Sequence, residues 1–115
     1  MSGLIQKSRI PRRSQSSLAP EVKEAIALAK NALRTNGPRT LFKNVKGGSR
    51  GDGPPLPGVP QGCKYFEFPV GTAHPDDPNP KGRRRLVLTV HSSGRILEIY
   101  YTENHFAKGT VVRAV

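Results

Sequence analysis

Three side chains in the second half of the chain, Glu67, Arg85 and His105, are of the types that a metal-independent cleavage of a phosphodiester needs. A carboxylate can take the proton from a ribose 2′-OH, a guanidinium can hold the charge growing on the phosphoryl oxygens, and an imidazole can protonate the departing 5′-oxygen. Glu67 is thus the candidate general base, Arg85 the phosphate clamp and His105 the candidate general acid. Strand parity supports bringing the first two together, since successive side chains face opposite sides of a sheet. In 65–70, Phe66, Phe68 and Val70 make an apolar face, and Tyr65, Glu67 and Pro69 its opposite. In 84–90, Leu86, Leu88 and Val90 are the apolar set, with Arg85, Val87 and Thr89 opposite. If the two strands are neighbours, Glu67 and Arg85 share the face that no helix covers, open to substrate.

The elements that must position these groups follow from periodicity and turn chemistry. From Pro20, the text PEVKEAIALAKNALRTNGP places Val22, Ile26, Ala29 and Leu33 on one helical stripe. Pro20 suits the first helical position, Glu21 and Glu24 the positive end of the dipole, Lys30 and Arg34 the negative end, and Asn36-Gly37-Pro38 a stop. Arg39 to Lys43 predicts a short strand, followed by a loop dense in Gly and Pro up to Gly62. Strands are predicted over 63–70, 84–90, 95–101 and 110–115, separated by turns. A helix followed by strands predicts an α+β domain, with the helix packed on one face of a twisted antiparallel sheet.

At 115 residues there is room for one domain. Residues 1–19 carry Lys7, Arg9, Arg12 and Arg13 with no acid and read as a basic flexible tail, with the domain proper over 20–115. Such a tail serves as a solvated terminus, an aid in holding RNA phosphates, or a localisation signal. The net charge of +11, from 19 Lys and Arg against 8 Asp and Glu, suits a polyanionic partner such as RNA. A single cysteine, Cys63, excludes an internal disulfide. No transmembrane run and no secretory leader are visible, so a soluble protein is expected. Cys63, His74, His91 and His105 lack the paired spacing of a zinc site, so no metal and no cofactor is expected. Arg50-Gly51-Asp52 matches a cell-adhesion tripeptide, a chance match in a glycine-rich loop.

Three ordered segments carry a resemblance to a known family. KYFEFPV has an aromatic residue two before the glutamate, KGRRRLVLT has basic residues four apart entering an apolar strand, and YYTENHFAKGT pairs a tyrosine-threonine with a histidine and an aromatic. Together they resemble the barnase-like bacterial guanyl-specific ribonucleases over residues 63–115, with the helix also in its expected place. The resemblance implies the microbial ribonuclease fold, Glu67 as base, Arg85 as phosphate-binding arginine and His105 as acid. Lys81 falls where the family commonly has a second arginine, and Phe106 where it often has tyrosine, keeping a face for stacking on a base. Tyr65, two before the glutamate, is also assigned to substrate binding.

Leu41-Phe42-Lys43-Asn44 resembles the start of the family's base-binding loop and Leu56-Pro57 its closure, which implicates Phe42 and Asn44. Register from Asn44 puts Lys46 where the family has its guanine-binding glutamate. Asp52 as acceptor, backbone carbonyls, or a relaxed preference for guanine are the three alternatives. The implied activity is an endoribonuclease that cleaves single-stranded RNA after guanosine through a 2′,3′-cyclic phosphate, as a monomer without a cofactor. The implied context is the toxic end of a larger delivered protein, or an enzyme restrained by an acidic inhibitor resembling barstar. A non-catalytic RNA-binding module on the same fold is the alternative, and it would not need Glu67 and His105 together.

Overall fold

Proline at the first helical position gives up an amide hydrogen that would have no partner there, and α1 (Pro20–Arg34) begins at Pro20. It ends where Asn36 adopts the left-handed conformation (φ 56°) and Gly37 N–H donates to Ala32 O, closing the last turn. The computed structural model describes residues 10–44, 55–71, 76, 82–106 and 110–115. Around α1 are β1 (Arg12–Arg13), a 3-10 turn (Gln15–Ser17), β2 (Thr40–Leu41), β3 (Cys63–Pro69), β4 (Arg85–His91), β5 (Ile96–Thr102) and β6 (Val111–Ala114). The strands form one sheet in the order β1-β6-β5-β4-β3-β2.

The domain is α+β, with the helix on one sheet face. Val22, Ala25, Ile26 and Ala29 of α1 pack with Phe68, Val70, Leu86, Leu88, Val90, Ile99 and Tyr101. Parity in β3 and β4 therefore runs as the alternation predicts, and Leu86 and Leu88 are fully buried. Each such leucine contributes about 1.5–3 kcal/mol by leaving water. Arg84 reaches across to Glu21 at 2.6 Å and ties the start of α1 to the segment entering β4. A bulge in β5 after Thr89 opposite Glu98 brings Ile96 opposite Val90 and onto the helix side, leaving Leu97 exposed.

Three expectations are corrected. The sheet is mixed, because β1 joins β6 in parallel while every other pair is antiparallel. Residues 10–19 are therefore part of the domain: Arg113 N–H donates to Pro11 O, Val115 N–H to Arg13 O and Gln15 N–H to Val115 O. Ile10 and Leu18 are buried on opposite sides of the sheet, in the second cluster and the helix-side core. An apolar residue at each end of a basic run is a weak periodic signal, which is why composition alone reads as tail. Finally, the sheet face away from α1 is not bare. Ile10, Leu56, Tyr65, Val87, Tyr100 and Val111 form a second apolar cluster there, with Phe42 and Phe106 against it.

Candidate active site

The register Glu67↔Val87 and Pro69↔Arg85 puts Glu67 and Arg85 on the same face of adjacent strands. Arg85 Nε lies 3.3 Å from Glu67 Oε2. The arginine is 4% exposed and the glutamate 21%, so the guanidinium is sunk into the face while the carboxylate keeps a window to solvent. Arg85 Nη1 donates to Gly82 O and to Arg84 O, so the guanidinium plane is held by its own approach segment as well as by Glu67. A fork fixed this way does not reorganise when charge develops beside it.

His105 is exposed, in the loop between β5 and β6. Its backbone N–H donates to Arg83 O at 2.7 Å, which pins the loop to the residues leading into Arg85. His105 and Phe106 are consecutive left-handed residues, at φ 47° and 64°. Thr102 holds this turn: its hydroxyl oxygen accepts the N–H groups of Asn104 and Phe106. The structure thus joins Glu67 to Arg85 directly and ties the His105 backbone to the Arg85 approach.

The residues expected to touch substrate divide. Phe42 and Phe106 meet across the face, ring centroids 4.7 Å apart and 37° from parallel, and both are half-buried. Asn44 is not aimed at a base edge. Its Nδ2 donates to Leu56 O and Pro57 O, and its Oδ1 accepts Leu56 N–H, so its amide closes the loop from within. Tyr65 is corrected to a core residue: it is 3% exposed and its hydroxyl donates to Pro57 O at 2.7 Å. Lys81, Asp52 and Lys46, and with them the Arg50-Gly51-Asp52 triplet, lie outside the described residues. Thr102 and Tyr100 were missed. A threonine two before an asparagine at a strand end is the signal of a side-chain-closed turn and marks Thr102; nothing in the text singles out Tyr100 from its neighbour.

Burial raises the phenol pKa of both tyrosines on this face. Tyr100 is pushed up to about 12, by desolvation first and then by the charge of Glu98. Tyr65 is raised too, by desolvation and then by Tyr100, whose ring meets it edge-on at 6.2 Å. Both are therefore neutral supports at ordinary pH. Among the described residues no group of three or more His, Cys, Asp and Glu side chains converges as a metal site would require. None of their helices is long and apolar enough to cross a membrane.

Compared with protein-family models, with curated proteins and with solved structures, the chain matches none. The functional argument therefore rests on the residues and their geometry.

Proposed function

We propose that this chain is an endoribonuclease with a preference for guanine, cleaving single-stranded RNA by metal-independent transesterification on a microbial-ribonuclease type of domain. The observation that carries the reading is the Glu67–Arg85 contact on one sheet face, with the His105 loop bonded to Arg83 beside it. Glu67 takes the 2′-OH proton, and the 2′-oxygen bonds to phosphorus. Arg85 stabilises the charge on the non-bridging oxygens as the bond from phosphorus to the 5′-oxygen breaks, and His105 protonates that oxygen. The products are a 2′,3′-cyclic phosphate and a free 5′-hydroxyl. Hydrolysis to a 3′-phosphate reverses the two proton-transfer roles.

The net charge of +11 draws a polyanion toward this face, and the paired rings of Phe42 and Phe106 offer π-faces for a base. A preference for guanine draws on the family resemblance, and with Asn44 committed to its own loop it is looser than in the family. The same charge suits an acidic protein inhibitor resembling barstar as a partner, consistent with the toxic end of a delivered protein.

The test is cleavage of a defined RNA in EDTA, with the cut ends mapped. Cyclic phosphate ends following guanosine are expected. RNA bound but left intact would replace this reading with that of an RNA-binding module, and activity lost on chelation and restored by a divalent ion would remove the three-residue scheme.

A further inference from the structure

Thr102, at the end of β5, is fully buried on the face of Glu67 and Arg85, yet its hydroxyl is not idle. It accepts Asn104 N–H at 3.2 Å and Phe106 N–H at 3.1 Å, and it lies 2.8 Å from Thr110 Oγ1. A hydroxyl has two lone pairs and one proton. With both lone pairs taken by amides, the proton of Thr102 goes to Thr110, which is therefore the acceptor of that pair. Three bonds on one oxygen thus fix the hydroxyl rotor and, through it, the turn.

The turn so fixed holds His105 and Phe106 in a conformation that neither side chain favours, φ 47° and 64°. An outside bond, His105 N–H to Arg83 O, holds it from the other side. Thr102 is also the cross-strand partner of Arg85. One residue therefore stands between Arg85 and the loop that carries the imidazole and one of the two paired rings.

We propose that Thr102 is a positioning residue: its buried hydroxyl, oriented by Thr110, holds the Asn104–Phe106 turn in its left-handed form and so sets His105 and Phe106 relative to Arg85. The catalytic consequence rests on the ribonuclease reading; the structural half does not.

Thr102→Val keeps the side-chain shape and removes the acceptor, Thr102→Ser keeps the acceptor and drops a methyl, and Thr110→Val removes the group that orients the hydroxyl. In Thr102→Val the amide hydrogens of Asn104 and Phe106 lose their exchange protection, kcat falls about 10- to 100-fold with a smaller change in KM, and the pH–rate profile shifts. Thr102→Ser restores all three to near wild type, and Thr110→Val falls between. Unchanged protection of those two amides in Thr102→Val, or a wild-type kcat and pH profile, overturns the proposal. If Thr102→Val does not fold, the comparison of Thr102→Ser with Thr110→Val decides it, since equal protection and equal kcat in the two would also overturn it. An inactive wild type would remove the ribonuclease reading alone, because amide exchange still tests the turn.

Discussion

Glu67 and Arg85, on adjacent strands, meet side by side at 3.3 Å, and Arg85 Nη1 also donates back to the carbonyls of Gly82 and Arg84. The pair therefore has a rigid member and a member with access to solvent. In the proposed reaction the guanidinium would meet the non-bridging oxygens of a phosphate, and the carboxylate beside it, 21% exposed, would meet the 2′-hydroxyl.

Replacing Glu67 with Gln removes the proposed base and keeps the shape. Turnover should fall by about 10²–10⁴, the usual contribution of a general base. Binding of a non-cleavable 2′-deoxy oligonucleotide should hold or tighten, because a negative charge next to the proposed phosphate site is gone. Kinetics and a binding titration on the same variant separate the two. A variant that turns over at the wild-type rate would take Glu67 out of the mechanism.

His105 offers a way to divide chemistry from backbone strain. A non-glycine residue at φ 47° sits in a conformation that costs of the order of 1 kcal/mol or more, which glycine escapes. His105→Gly should therefore be at least as stable as wild type in urea, His105→Ala no more stable than wild type, and both should lose about 10²–10⁴ in turnover. Activity retained in His105→Gly would assign the general acid elsewhere.

Much of this arrangement was legible in the chain itself, and the reasons differ by residue. The alternation of Phe66, Phe68, Leu86 and Leu88 with Glu67 and Arg85 is a period-2 signal, so the shared face of the pair could be read before any coordinates. The helix was equally plain, from its proline start and its apolar stripe. Ile10 was not, because one isoleucine among arginines and serines has no period, and its burial depends on β6, about 100 residues away in sequence. Tyr65 and Asn44 failed for another reason. Polar groups near a site look alike in sequence whether they face substrate or close a loop, and only the carbonyls of Leu56 and Pro57 settle the matter.

The buried tyrosines set a limit on alkaline stability. The folded-state pKa of Tyr100 is raised to about 12 from an ordinary 10.0, and those of Tyr65 and Tyr101 are raised as well. A raised folded value means that the unfolded chain gives up the proton first. The neutral phenols therefore contribute their full share below about pH 10, and the share is lost as pH climbs from there through about 12. Urea midpoints measured from pH 8 upward should stay level in this respect to about pH 10 and then drop. Tyr100→Phe should flatten the drop, and an identical profile in that variant would assign alkaline loss to other groups.

The first nineteen residues should prove to be two segments with different jobs. Removing 1–9 takes away Lys7 and Arg9 and leaves β1 and Ile10 in place. If both basic residues contact phosphate, the slope of log affinity against log salt for a single-stranded RNA should decrease by about 1.4, at 0.7 per contact. The folded domain should be unchanged. Removing 1–19 deletes the parallel strand on β6 and the buried side chains of Ile10 and Leu18, one from each sheet face. Truncating a single buried isoleucine or leucine to alanine already costs about 2–5 kcal/mol, and the ladder bonds from Arg113 and Val115 are lost in addition. Against a total stability of about 5–15 kcal/mol, the longer deletion should leave a domain that is largely unfolded or melts far earlier. Circular dichroism melts of the two truncations, with Ile10→Ala as the point-substitution control, test this division. Equal melting temperatures for the two truncations would show that the β1 segment adds nothing to the fold.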